Sequence, residues 1–124
     1  MTPESDYAEY RVLYLEDEPL IAFDTTQHLE ELGFREVCTV YRLAQAEEVS
    51  EGQLFDLAIF DISVDRGTTS LALGKSLAAR GTPVIFASGN GTEAQALRDA
   101  GHFFLGKPFS LAMLTQEIRR ALRM

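Results

Sequence analysis

Four places in the chain carry side chains whose types suit one chemistry if they meet. Glu16, Asp17 and Glu18 stand side by side in "LYLEDEPLI", Asp61 ends "FDLAIFD", Ser88 follows "PVIFA", and Lys107 precedes Pro108 in "LGKPF". Carboxylates a few ångströms apart repel by about 1 kcal/mol in water and several times that at lower effective dielectric. A divalent cation removes the difficulty, and hard oxygen ligands with open water positions suit Mg²⁺. The metal can then draw a phosphoryl group towards a nearby carboxylate. A carboxylate that attacks phosphorus becomes an aspartyl phosphate, a known covalent intermediate. The lysine would neutralise charge on the phosphoryl oxygens, and the serine hydroxyl would hydrogen-bond another of them. Each residue alone has a plainer use. Acids complement a helix N-terminus by roughly 0.3–1 kcal/mol each, and Glu18 fits that role best. Asp61 could be a turn former, Ser88 a loop serine and Lys107 a solvated lysine. Only convergence in space favours the chemistry.

The elements between these residues decide whether they converge. "RVLYL" (11–15), "EVCTV" (36–40), "FDLAIF" (55–60), "PVIFA" (83–87) and "HFFL" (102–105) read as strands. Helical patterns fill the gaps: 19–32, with Ile21, Leu29 and Leu32 on one face; 43–50; 70–81, with Ser70 as N-cap; 92–101; and a last helix from Ser110. In that last helix Leu111, Leu114, Ile118 and Leu122 share a face. Pro19 suits a first helical turn and Gly33 a stop. The order is βα five times, which predicts a parallel sheet with helices on both faces. Ligands of such sheets bind beyond the carboxyl ends of the strands. The acids follow the first predicted strand, Asp61 the third, Ser88 the fourth and Lys107 the fifth, so all should gather on one rim.

Composition narrows the function classes. The 124 residues fit one domain, and 46% hydrophobic content supports a true core. A net charge of -8 argues against a nucleic-acid surface, since duplex affinity rests on basic residues. No apolar run approaches the roughly 20 residues of a membrane span, and "MTPESDYAEY" lacks the features of a secretory signal. Cys38 is the single cysteine, expected as a small buried apolar residue, and the reducing cytosol is the natural compartment. His28 and His102 share no metal-ligand spacing.

"LYLEDEP", "FDLAIFDI", "TPVIFASGN" and "LGKPF", in this order, resemble the receiver domain of two-component response regulators. The resemblance runs from about Arg11 to the last helix, leaving residues 1–10 as an extension and about 11–123 as the domain core. It implies an α/β, doubly wound, flavodoxin-like fold: a five-stranded parallel sheet of order 2-1-3-4-5 with five helices. It implies Asp61 as phosphoacceptor, and Glu16 and Asp17 as the acidic pair holding Mg²⁺ (or Mn²⁺ in its place) together with Asp61 and the backbone carbonyl of Ser63. Ser88 would move onto the phosphoryl group, Lys107 would pair with it, and Phe104 would be the switch aromatic. "PVIFASGNG" is similar to a subgroup whose fourth strand ends F-A-T-G, often small stand-alone receivers paired with HWE-type or related histidine kinases. The implied protein is cytoplasmic, a monomer or weak dimer and no conventional enzyme. It takes its phosphoryl group from a histidine kinase and acts on a downstream protein or histidine phosphotransferase, or as a phosphate sink.

Some positions depart from the pattern. Asp65 stands where many receivers carry proline, and Gly89 and Gly91 flank Asn90, which predicts a loose start to the fourth helix. Pro108 invites a cis bond. Three rivals follow. A pseudo-receiver would dock proteins without phosphorylation, against which stands the complete set of acids, hydroxyl and lysine. A small-substrate phosphotransferase would need a cap and a second acid two residues after the nucleophile, where Ser63 stands. A flavodoxin-like cofactor carrier would set an acidic rim against a flavin phosphate.

Overall fold

A computed structural model describes residues 6–124. Five parallel strands form the central sheet: β1 (Arg11–Leu15), β2 (Glu36–Val40), β3 (Leu57–Asp61), β6 (Val84–Ser88) and β7 (Phe103–Gly106). Their spatial order is β2-β1-β3-β6-β7, the expected 2-1-3-4-5 with two small strands inserted in the chain. The helices are α1 (Pro19–Leu32), α2 (Leu43–Gly52), α3 (Leu71–Ala79), α4 (Ala94–Asp99) and α5 (Leu111–Ala121). Every residue of β3 is buried, as a strand covered on both faces must be, which is why its sequence is apolar without alternation.

Alternation along the strands divides the core in two. Leu13, Leu15, Phe60, Phe86 and Phe104 face one side, with Leu77 of α3 and Leu97 of α4. Val12, Tyr14, Ile59, Ile85 and Leu105 face the other, with Ala22 and Leu29 of α1 and Leu114 and Ile118 of α5. Phe103 and Phe104 accordingly go to opposite faces, Phe103 half-buried and Phe104 buried. Gly74 of α3 lies so close to Phe86 that a β-carbon there would enter the ring.

Several expectations need correction. Ile21 and Leu111 are exposed, at 41% and 43%, although helical spacing assigned them to buried faces. They sit in the first turns of α1 and α5, where both line an open groove. Cys38 is half-buried, being on an edge strand. The fourth helix is only the six residues of α4 behind a 3₁₀ turn at Gly91–Glu93, in which Asn90 accepts a bond from the Thr92 amide at 3.1 Å. The N-terminal extension joins the core, Tyr7 being buried against Phe34 with ring centroids 5.0 Å apart; residues 1–5 lie outside the described residues.

The small strands β4 (Ser63–Val64) and β5 (Thr68–Thr69) form an antiparallel hairpin that the sequence reading did not anticipate. It turns through Asp65, Arg66 and Gly67 at φ of 52°, 58° and 109°. Asp and Gly tolerate this left-handed region well, whereas arginine rarely adopts it. The Asp65 carboxylate accepts the Leu43 amide at 3.0 Å, so the residue standing where many receivers carry proline supplies a bond at the start of α2 that the Arg42 side chain does not.

Candidate functional site

The carboxyl ends of β1, β3, β6 and β7 bring the singled-out residues to one rim. Asp61 and Ser88 are not beyond their strands but are the last residues of β3 and β6, because backbone pairing runs further than the apolar segments. Asp61 pairs with Ala87 and Ser88 with Gly106, and the Lys107 amide donates to the Ser88 carbonyl at 2.9 Å. Sheet hydrogen bonds therefore hold the backbones of Asp61, Ser88 and Lys107 in register. The Lys107–Pro108 peptide is cis.

Glu16 is almost completely buried, Asp61 buried at 8% exposure, and Asp17 exposed. Lys107 reaches across to both buried acids, its Nζ lying 2.7 Å from Glu16 Oε1 and 3.3 Å from Asp61 Oδ2. Burial, then the charge of Glu16, pushes the Asp61 carboxyl up to about 6, with Lys107 pulling the other way. Burial pulls the Lys107 ammonium down, yet the bond to Glu16 and the charge of Asp61 outweigh it and leave the group above its usual value. The pair of directions describes a site short of positive charge, with one lysine shared between two buried acids.

One carboxylate oxygen from each of Glu16, Asp17 and Asp61 lies within 4.8 Å of the others. Two oxygens on one small divalent ion are at most about 4.2 Å apart, close to the spacing of this cluster. Hard oxygen donors in this number fit a divalent metal. Glu18, by contrast, contributes its backbone: its amide donates to Glu16 Oε2 at 3.1 Å and orients that carboxylate. Ser63 sits in the hairpin directly after the site, with its side chain exposed.

Ser88 is half-buried, and its Oγ accepts the Asn90 amide at 3.0 Å, leaving its own proton free to be donated. Phe104 is buried, with the Arg98 guanidinium 5.7 Å above its ring centre. His28 bonds Thr115 of α5 at 2.8 Å, and His102 stands edge-on to Phe86 at 5.5 Å; neither joins the site. Ser70 holds the N-cap position of α3, as its sequence context predicts, but its side chain is turned to another use. Its hydroxyl makes no capping bond but, fully buried, donates to the Asp61 carbonyl at 2.7 Å and so steadies the end of β3. A serine at a helix start reads the same whether it caps or turns inward, so nothing in the sequence separated the two.

A sheet of order 2-1-3-4-5 with this rim has known counterparts. The family model for the response regulator receiver domain matches residues 12–119. The chain belongs to that family. This receiver is 33% identical over 117 residues to the transcriptional activator protein PfeR of Pseudomonas aeruginosa, a match covering 91% of the chain. It spans only 38% of that relative's length. The non-phosphorylated HemR receiver domain of Leptospira biflexa has the same fold, with a TM-score of 0.81 at 21% identity, covering 94% of this chain and 96% of that one. The response regulator TrrA of Thermotoga maritima, solved in complex with Mg²⁺ and BeF, gives 0.78 at 22%, covering 91% and 99%. Receivers are signalling domains of two-component systems, not conventional enzymes, and they engage histidine kinases and downstream partners. Among the described residues of this one, no helix is long and apolar enough to cross a membrane.

Proposed function

We propose that this receiver accepts a phosphoryl group on Asp61 in a reaction that depends on Mg²⁺. The observation that carries the reading is Lys107 held between Glu16 and Asp61 beside a third carboxylate, Asp17. Glu16, Asp17 and Asp61, with the Ser63 carbonyl, would hold the ion. Bound Mg²⁺ (or Mn²⁺) would neutralise the clustered acids and serve as a Lewis acid for the incoming phosphoryl oxygens. Asp61 forms the new O–P bond as the donor's bond to phosphorus breaks, and that electron pair leaves with the donor. Lys107, already within reach of Asp61, shifts onto a phosphoryl oxygen, and Ser88 donates its free proton to another. That movement takes Ser88 from the Asn90 amide and frees the space it leaves to Phe104, which would pass the change to α4, β7 and α5. The Mg²⁺ and BeF complex of TrrA supports the choice of ion by analogy.

The phosphoryl donor on this reading is a histidine kinase, the HWE-type group being favoured by "FASGN". The output is binding of a downstream protein, relay to a histidine phosphotransferase, or drainage of the kinase, in the cytoplasm. The test is intact-mass spectrometry after incubation with acetyl phosphate, with and without Mg²⁺, beside Asp61→Asn. One phosphate adduct that needs Mg²⁺ and disappears in the variant is the expected result. No adduct, together with no Mg²⁺ binding by titration, would leave a docking module built on a receiver fold.

A further inference from the structure

The hairpin that follows Asp61 is too small to hold its own shape. Its two residue pairs are Ser63 with Thr69 and Val64 with Thr68, and a hairpin of that size is marginal in water. Its turn also keeps Arg66 at a φ of 58°, in the left-handed region that is costly for a long side chain. Bonds to the rest of the molecule fix it. At its base the Ile62 amide donates to the Ala87 carbonyl and the Ser70 amide to the Ile62 carbonyl, both at 2.9 Å, and Val64 is buried in the core. At its tip the Asp65 carboxylate accepts the Leu43 amide of α2 at 3.0 Å.

Bonded and non-bonded pairs alternate along an antiparallel ladder. Since the Ile62 carbonyl takes the Ser70 amide, Ser63 and Thr69 form a non-bonded pair, and the Ser63 carbonyl takes no bond from β5. A neutral oxygen is thus available two residues after Asp61, of the kind that a hard cation adds to carboxylates. Asp65 stands two residues further on. It is outside the cluster of Glu16, Asp17 and Asp61, and its charge is engaged at the N-terminal end of α2, where it complements the helix dipole. The Arg42 side chain makes no capping bond there.

We propose that Asp65 is a positioning residue for the divalent ion: bonded to the first amide of α2, it holds the hairpin so that the Ser63 carbonyl is kept for the ion that Glu16, Asp17 and Asp61 bind. This rests on the Mg²⁺ reading of those acids. Three variants separate the bond from the charge. Asp65→Asn keeps an oxygen for the Leu43 amide but loses the charge. Asp65→Gly loses both, and glycine takes a φ of 52° without strain. Leu43→Pro removes the donor instead; proline suits a first helical position, and the extended Arg42 suits the residue before it. Mg²⁺ affinity by calorimetric titration should be weakened about tenfold in Asp65→Gly and in Leu43→Pro, as for other groups one shell out from an ion. Asp65→Asn should stay within about twofold of wild type, and the Gly and Pro changes combined should lose no more than either alone. In the metal-free protein the Leu43 amide should exchange slowly in the wild type and in Asp65→Asn, and faster in Asp65→Gly. Equal losses in Asn and Gly would make the effect one of charge and overturn the proposal, as would unchanged affinity in both Gly and Pro. If the wild type itself binds no Mg²⁺, the ion reading falls and this proposal with it; if it binds and the variants match it, the proposal alone falls.

Discussion

Strand β7 is flanked by two helices of unequal build. On one side α5 runs for 11 residues, starts on a Ser110 cap that accepts the Met113 amide at 3.1 Å, and buries Leu114, Ile118 and Ala121. On the other, α4 has six residues and buries Leu97 alone, and the turn before it hangs on Asn90. The first side stands beside α1 along a groove of about 750 Å³ that Lys107 also lines; the second carries Arg98 over Phe104 and receives the chain from Ser88. A cluster of buried like charges needs rigid walls, whereas an element that must report a change needs few contacts to give up. On the proposed reading α5 would serve the first need and α4 the second.

The largest effect that would break this division is on chemistry. Lys107→Ala removes the cation shared by Glu16 and Asp61, and phosphate uptake from acetyl phosphate should fall by about a hundredfold or more. Asn90→Ala, on the lighter side, should leave uptake within about tenfold of wild type. Equal losses by mass spectrometry would show that α4 shapes the site itself.

Next come the two buried leucines. Leu114→Ala should cost about 3–5 kcal/mol, because Leu114 is fully buried in the packed α1–α5 face, and urea denaturation should show one cooperative transition with a lowered midpoint. Leu97→Ala should cost about 2–3 kcal/mol, with hydrogen exchange of residues 91–99 accelerated well beyond that of α5. Parallel acceleration in both helices would deny α4 its independence.

The charge cluster has a pH signature in the metal-free protein. Asp61 ionises near 6 when folded, against an ordinary 3.8, so the folded state holds the proton more tightly than the unfolded chain. Stability therefore falls as pH rises from about 4 through about 6, then levels off. Asp61→Asn removes that penalty, while Lys107 keeps Glu16. The variant should be more stable than wild type by roughly 1–3 kcal/mol at pH 7–8, the difference closing towards pH 4. Added Mg²⁺ should stabilise the wild type and not the variant. Thermal melts across pH would expose a failure if the two proteins differ equally at pH 4 and 8.

The smallest contrast concerns the caps. Ser110→Ala should lower global stability by about 1 kcal/mol. Asn90→Ala should leave the global midpoint nearly unchanged and speed exchange only around Gly91–Glu93. A global loss from Asn90→Ala as large as that from Ser110→Ala would contradict the picture of a lightly held turn.

Residue patterns foretold the strands and helices well where burial is one- or two-sided and regular. The apolar run of β3, the first turn of α1 at Pro19 and its stop at Gly33, and the spacing of Leu114 and Ile118 needed no tertiary information. Ile21 and Leu111 misled because helical periodicity knows nothing of a groove left open beside two helices. The hairpin of β4 and β5 escaped because two-residue strands have no period to detect, and because its turn places Arg66 in a conformation that arginine rarely takes. The Ser70 bond to the Asp61 carbonyl and the Asp65 bond to the Leu43 amide escaped because a short polar side chain can serve its own local backbone or another element.

What the amino-acid order alone determined was the alternation of strand and helix, and with it the gathering of Glu16, Asp17, Asp61, Ser88 and Lys107 at one rim. Parallel βαβ units must all end their strands on the same side, so the position of a residue after its strand already places it. What only the tertiary structure decided was which groups share which protons. Lys107 divided between Glu16 and Asp61, Ser70 on the Asp61 carbonyl and Asp65 on the start of α2 all depend on distances across elements remote in the chain. Local pattern sets the direction in which a side chain points, and packing of one element on another sets what it meets there.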